Sequence, residues 1–473
     1  MRYSLRVFLC VKENKKLTSK LAIVTIASAM LFGVAPVFGS GSPTVIVGSC
    51  PGAAPSGFGF FIMPFGTSAT SITAGLAKVS PGGTVYVCPG TYTEQVSIGI
   101  NVNLIGLYKA GVGPTIAAPA APAGIGANST DLYDGTSIAA QVLVNGGNTA
   151  NINGFTVDGS NNQIAGCAPI LAGVYYRNSS GTLSNVSVKN EALSASLFGC
   201  QSGLGVFIES GYTVPGISLV QVQNVSVTNF QKNGITADGP GTIVVISNNV
   251  VTGVGSTAAI AQNGIQVSDG AVGSVSNNQV SNMDYTVYDP NSAYIYQAAG
   301  IAAYASKGVS IIGNTVTAVQ LPIVTQTVPG DFTSTNPTGT ADGAIIQGNT
   351  ITGLSGPIAN FGLLTDGIDA CSSFNTISLN NISNTVLDGI ELDQSCSTTS
   401  DPSGNFNTVL LNNIQNSCSA ILLDGASEQQ NLILLNTASG VKESIATNST
   451  CPGSNSISNP LQVQILPFKP GHH

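Results

Sequence analysis

The chain has 473 residues, 22 of them acidic and 14 basic, for a formal net charge of −8. That balance disfavours nucleic acid, phosphate-rich ligands and anionic membranes as partners. Trp is absent and the two histidines, His472 and His473, are terminal, so a histidine base or a histidine metal cluster has no candidate in the body of the chain.

Residues 1–39 read as a signal peptide. Arg2, Arg6, Lys12, Lys15, Lys16 and Lys20 form a basic leader, Leu21 to Phe38 is uncharged and apolar or small, and Val37 and Gly39 are small residues before a cut after Gly39. An uncleaved anchor is the alternative, since this run nearly suffices to span a bilayer. Cleavage leaves 8 basic and 21 acidic residues, a net charge of −13. The expected product is a secreted protein, extracellular or periplasmic, with no membrane contact after cleavage. Residues 40–66, rich in Gly, Pro and Phe, read as an N-terminal strap.

Next comes a short helix. Within Ser71–Val79, Ile72, Leu76 and Val79 share one helical face, and Pro81-Gly82-Gly83 ends it. Thr84–Val87 reads as a strand, Pro89-Gly90 as a turn and Glu94–Ile98 as a second strand. Such a helix would cover the end of a sheet assembly, which is otherwise an exposed edge.

From about residue 200 to residue 440 one motif returns. Its first half is Gly-Ile: Gly234-Ile235, Gly264-Ile265, Gly300-Ile301, Gly367-Ile368 and Gly389-Ile390. Its second half is Asn followed by a β-branched residue, as at Asn248-Asn249-Val250, Asn314-Thr315-Val316 and Asn349-Thr350-Ile351. Apolar residues alternate within each unit, which marks half-buried strands. A parallel sheet normally needs helical crossovers, and the connections here are too short for them. The chain therefore coils, one turn per repeat, over residues 67–445. The repeated Asn suits turns with left-handed backbone, and stacked Asn can bond along the axis. The shortest unit is 22 residues, and longer units carry loops, the larger at 284–297, 321–340 and 394–407. Residues 446–473 read as a C-terminal cap and tail.

The stretch Ser71–Gly106, with Gly83-Thr84-Val85-Tyr86-Val87-Cys88-Pro89-Gly90-Thr91-Tyr92-Thr93-Glu94 at its centre, resembles the opening coils of the pectin-lyase-like superfamily. The later repeats are similar to the generic repeats of that group. The resemblance implies an all-β fold, a right-handed parallel β-helix with a short N-terminal capping helix.

Eight cysteines follow the leader: Cys50, Cys88, Cys167, Cys200, Cys371, Cys396, Cys418 and Cys451. An even number in an exported chain points to disulfides. Spacing alone does not choose among their pairings.

The best acidic constellation is Asp366, Asp369, Asp388 and Glu391. Asp366 and Asp388 are 22 residues apart, as are Asp369 and Glu391, so each pair should stack on adjacent strands about 4.8 Å apart. Asp424 should stack likewise on Asp393. Crowded carboxylates raise one another's pKa and can supply an acid and a base, which makes Asp366, Asp369, Asp388 and Glu391 the catalytic candidates. Alternatively, Asp366, Asp388, Asp393 and Asp424 are candidate ligands for Ca²⁺, the one cofactor suggested. Turn chemistry is the simplest reading of Asp366 and Asp388, which stand where Asn233 and Asn263 stand in earlier coils.

Thr365-Asp366-Gly367-Ile368-Asp369 resembles the first acid motif of polygalacturonases, which implies hydrolysis. Leu387-Asp388 stands where that family carries an acid pair, and Ser419-Ala420-Ile421 where it carries a His motif. Arg177, beside Tyr175-Tyr176, is a candidate lyase base or a structural residue. Tyr285, Tyr288, Tyr294 and Tyr296, with Tyr304 just beyond, are candidate sugar-stacking residues. These features support a surface or extracellular glycan-binding or structural protein. The alternative is a polysaccharide-active enzyme, a glycoside hydrolase or a Ca²⁺-dependent lyase on an acidic glycan. The expected partner is a polysaccharide or cell-surface glycan.

Overall fold

The computed structural model describes residues 43–55, 66–119, 124–287, 294–328, 341–354, 365–394, 396, 403–424, 430–447 and 462–464. The expected signal peptide lies outside the described residues, as does Tyr288.

Three parallel sheets form the body. In each coil the chain passes through the first, second and third sheets in turn. Ser218–Gln223, Ser226–Thr228 and Asn233–Asp238 make one coil, and Thr242–Ser247, Val250–Thr257 and Asn263–Ser268 the next. Each strand pairs in parallel with its counterpart one coil away, as Val220 with Val244, Val227 with Val251 and Ile235 with Ile265. Among the described residues the sheets hold 15, 12 and 13 strands, so about a dozen coils stack at a strand spacing of about 4.8 Å. The inward residues, such as Val220, Val222, Val227, Ile235 and Ala237, join one apolar core that continues from coil to coil.

The repeated Gly has a steric cause. A Cβ on Gly264 would stand 2.6 Å from the Gly300 carbonyl oxygen and 2.6 Å from Val280 Cγ1, and one on Gly300 would stand 2.5 Å from the Pro322 oxygen. Gly264→Ala is therefore expected to cost about 2–3 kcal/mol, seen as a lower urea midpoint. Gly126→Ala, where a Cβ meets nothing within 4 Å, should leave the midpoint unchanged. Equal effects at the two sites would refute the steric account.

One expectation is corrected here. Leu321–Gln326 is a buried strand of the third sheet and not part of an extruded loop. The register pairs Ala299 with Leu321 and Ile301 with Ile323, so Pro322 occupies the position where other coils carry Gly. Residues 329–340 lie outside the described residues.

The repeated Asn divides into two tasks. Asn248 and Asn277 take the left-handed backbone at φ 57° and 55°. The residue after each turns its side chain inward. Asn249, Asn278, Asn314, Asn349, Asn380, Asn412 and Asn436 form a ladder in which each Nδ2 donates to the next Oδ1 at 2.9–3.0 Å.

At the N-terminal end, helix α1 (Ile72–Leu76) is capped by Ser71, whose side chain accepts from the Ala74 N–H. Glu94 reaches back to accept from the Ile72 and Thr73 N–H groups at 2.8 and 2.9 Å. Ile72, Leu76 and Val79 are buried, as the helical spacing predicts. Gly90–Thr93 is a strand of the second sheet, and Val96–Ile98 begins the third. Inside the expected strap, Thr44–Val47 enters the first sheet between Thr67–Ala69 and Gly83–Val87. Inside the expected tail, Gln462–Gln464 pairs in parallel with Tyr294–Tyr296.

Disulfides join Cys50 to Cys88, Cys167 to Cys200 and Cys371 to Cys396. Cys418 is also disulfide-bonded. No helix among the described residues is long and apolar enough to cross a membrane.

Candidate functional site

The third sheet carries the polar chemistry. In each coil the residue four after the repeat Gly ends the strand on its outer face. The register aligns Arg177 with Glu209, Glu209 with Asp238, and Asp238 with Ser268. Further along the same edge, Asp393 aligns with Asp424. Two acid clusters result, one towards each end.

The first cluster combines that edge with a loop. The Leu132 N–H donates to both oxygens of Glu209 at 2.9 Å, and the Tyr175 hydroxyl donates to Glu209 Oε2 at 2.6 Å. Tyr212 and Ser268 donate to Asp238 at 2.9 and 2.6 Å. Asp131 Oδ1 accepts from the Tyr133 and Asp134 N–H groups at 2.7 and 3.1 Å, a turn that lays the loop over the sheet. Burial, then the neighbouring Asp131 and Asp238, holds Glu209 well above the usual carboxylate range. Burial and Asp269 do the same to Asp238. Asp131 is pushed up to about 7 by burial, against the hydrogen bonds that lower it, one of them from Glu209. Asp131 Oδ2 is buried without a hydrogen-bond partner, and Asp131 and Glu209 lie close enough to perturb each other's ionisation. Above them lie the half-buried rings of Tyr133 and Tyr212, edge to face with centroids 5.4 Å apart. Asp134 is exposed at the rim. Tyr304 belongs here too, buried and raised in pKa by burial and then by Asp269 and Tyr133.

The second cluster holds the acids expected from sequence. Asp369 pairs with Glu391 across adjacent strands, and the Asp388 N–H donates to Asp366 Oδ1 at 3.0 Å. Asp366, Asp369, Asp388, Glu391 and Asp393 are all under a tenth exposed, whereas Asp424 is exposed. Burial raises Asp366 to about 6, opposed by its bonds from Asp388 and Glu391. Burial and then Asp366 raise Asp388 to about 8. Burial followed by neighbouring carboxylates holds Asp369 and Glu391 well above their usual range. Asp369 Oδ1, Asp388 Oδ1 and Thr365 Oγ1 have no hydrogen-bond partner. Cys371 Sγ stands 3.0 Å from Asp393 Oδ2. A bonded sulfur has no proton to give, so this is a close contact and not a thiol hydrogen bond. The Cys371–Cys396 disulfide ties the neighbouring chain beside these acids.

The tyrosine loop stands apart from both. Tyr285 ends a second-sheet strand, packs on the core and lies near enough to Tyr296 to feel its charge. The strand Tyr294–Tyr296 is paired as above. Tyr285 belongs to the coil of Ala299–Tyr304, two and three coils before Asp369 and Glu391. Arg177 donates to the Thr130 carbonyl at 2.8 Å and anchors the covering loop. Asp158 is ion-paired with Lys189 at 3.1 Å, and Glu191 is fully buried. Neither is a hydrogen-bond partner of Arg177.

Residues 204–438 match the family model described as a right handed beta helix region. With the three parallel sheets, this makes the fold a right-handed parallel β-helix, as the resemblance of the opening segment implied. No curated protein matches the sequence. Among solved structures, the native GH136 lacto-N-biosidase of Eubacterium ramulus aligns with 80% of this chain and 65% of its own, at 15% identity and a TM-score of 0.47. The catalytic domain of a GH87 α-1,3-glucanase gives 80%, 66%, 14% and 0.45. The N-terminal fragment of bacteriophage Phi29 gene product 12 gives 79%, 64%, 14% and 0.44. The alignment spans under two thirds of each of these proteins, and at such scores none carries an activity to this chain.

Proposed function

We propose that this right-handed β-helix protein binds glycan, at the first acid cluster on its third sheet. The observation that carries the reading is the half-buried Tyr133–Tyr212 pair, with the Tyr212 hydroxyl bonded to Asp238 at 2.9 Å, Asp269 and Asp131 near enough to Tyr133 to raise its pKa, and Asp134 exposed beside it. Sugar rings present apolar C–H faces that stack on tyrosine, and hydroxyls that bond to carboxylates. The acidic net charge of the chain favours a neutral glycan over a polyuronate. The bonded cysteines fit an oxidising compartment, as an exported protein requires.

The test is retention of the purified chain on immobilised neutral and acidic polysaccharides, followed by calorimetry. Tyr133→Ala and Tyr212→Ala are each expected to weaken binding about tenfold, the scale of losing one stacked ring. Unchanged affinity in the double variant, or retention by acidic glycans alone, overturns the reading.

A second reading, glycan hydrolysis, is favoured by the Glu209 carboxyl, which burial and the neighbouring Asp131 hold well above the usual range. Glu209 in its acid form beside Asp131 has the proton a general acid must donate. New reducing ends that vanish in Glu209→Gln would support it, and binding without products would sink it.

A further inference from the structure

The corners that flank the first sheet change character along the cylinder. The residue after each first-sheet strand takes the left-handed backbone. Asn224, Asn248, Asn277, Gly313 and Gly348 hold that corner in five successive coils, and Leu379, Leu411 and Leu435 in the next three, at φ 58°, 56° and 56°. Two residues before the strand, the other corner passes from Gly308 and Gly343 to Phe374 and Phe406, again all at positive φ. Asn and Gly suit this backbone, whereas a bulky side chain is strained in it. Burial does not offset the strain. These five side chains, with Leu432 and Leu434 on the last strand between the corners, are 41% to 75% exposed. The two phenyl rings stack on each other with centroids 4.9 Å apart. No charged residue occurs in 373–385, 405–416 or 431–441, so the patch lacks the charges that usually guard an exposed sheet. At about 200 Å² for each side chain, seven half-exposed ones present on the order of 700 Å². That exceeds the roughly 300–600 Å² of the largest apolar patch on a typical monomer. It approaches the roughly 800 Å² that each partner gives to a standard interface.

We propose that the outer face of the first sheet, over its last three strands, is the contact through which two copies of the chain form a two-fold dimer. A two-fold contact sets the same patch against itself. Identical uncharged patches meet without the like-charge repulsion that a net charge of −8 imposes elsewhere. Two sheet faces of this kind pack about 10 Å apart with their side chains interdigitated. The described end of the chain does not cover the patch. Gln462–Gln464 pairs with Tyr294–Tyr296 in the coil of Ala299–Tyr304, five strands along the third sheet from its last strand. This surface is independent of the glycan reading, which rests on the third sheet.

Sedimentation equilibrium of the purified chain is the test. A dimer is expected at about 10 μM, since interfaces of standard size hold at micromolar affinity or tighter. Leu379→Asn with Leu411→Asn and Leu435→Asn gives these corners the residue that Asn248 and Asn277 supply in earlier coils. The triple variant should weaken the dimer at least tenfold, while the Tm of the dilute monomer stays the same or rises. Leu411→Asp, which sets like charges across the two-fold contact, should leave only monomer. Ile217→Asn, at an exposed isoleucine ahead of the strand Ser218–Gln223, should leave the dimer as it is. Monomer alone up to about 100 μM, well past that range, overturns the proposal, and so does a dimer that the triple variant leaves intact. A monomeric parent whose Tm falls in the triple variant overturns it too, and assigns the patch to the chain's own residues 448–473.

Discussion

Asn314→Ala is expected to lower the free energy of unfolding by about 4 kcal/mol, roughly two stranded polar groups at their desolvation cost. Asn314 sits mid-ladder with no exposed surface. Its Oδ1 accepts from the Asn278 N–H and from Asn278 Nδ2, both at 2.9 Å. Its Nδ2 donates to the Val275 carbonyl at 2.9 Å and to Asn349 Oδ1 at 3.0 Å. Alanine strands the Asn278 N–H and one amide hydrogen in a dry turn and leaves a void. Asn314→Asp keeps the acceptor but sets a carboxylate against the Val275 and Asn349 oxygens, so it should not rescue. Asn436, at the partly exposed end of the ladder, accepts from Asn412 and donates to the Val409 carbonyl, but water can replace these bonds. Its alanine variant should lose about 1 kcal/mol, an ordinary net hydrogen bond. Denaturant unfolding of the three variants is the measurement, and equal losses at Asn314 and Asn436 would refute the ladder account.

The ladder also marks how far the sequence could be read. Recurrence of Asn placed it in a turn, and periodicity of Gly-Ile and β-branched residues placed the strands. Where two Asn stand together, as at 248 and 249, composition does not say which takes the left-handed backbone and which turns inward. The later coils carry Leu379 and Leu411 at φ 58° and 56°, so the backbone does not need Asn there, whereas the inward position keeps it.

The same limit explains the acids. The 22-residue offset put Asp369 beside Glu391, as the register has it. Glu209 and Asp238 obey the same spacing, each four after a repeat Gly, but they were not among the expected site residues. Asp131 could not have been. It comes from a loop, and the contact beside it, Leu132 to Glu209, spans 77 residues, a separation that no repeat encodes. Nor does alternation reveal that the outer face of the third sheet is buried. Thr236, Gln266, Asp369 and Glu391 look solvent-facing by pattern, and all are buried.

Stability is expected to fall as pH rises from 5 to 7, and Glu191→Gln to flatten that fall. Glu191 occupies space left by two glycines: a Cβ on Gly159 would stand 2.5 Å from its Oε2, and one on Gly173 would stand 2.9 Å from Oε1. Neither oxygen has a hydrogen-bond partner. Burial, then the charge of Asp158, holds this carboxyl well above its ordinary 4.5. Lys189 is engaged with Asp158 and leaves Glu191 without a counter-ion. A raised carboxyl binds more protons folded than unfolded, so its stabilising proton is fully present below pH 4.5 and is lost towards the folded pKa. The loss is about 1.4 kcal/mol per pH unit for each such group. Asp131, Glu209 and Asp238 act in the same sense. Lys232, buried and lowered to about 7, acts oppositely but only above pH 7, which keeps the window from 5 to 7 clear of it. Glutamine mimics the neutral acid at every pH. Glu191→Gln should therefore match the parent near pH 4.5 and gain on it as pH rises towards 7, by up to about 1.4 kcal/mol per pH unit. Urea unfolding across that range is the check, and a parallel pair of pH profiles would show that Glu191 is ionised in the fold.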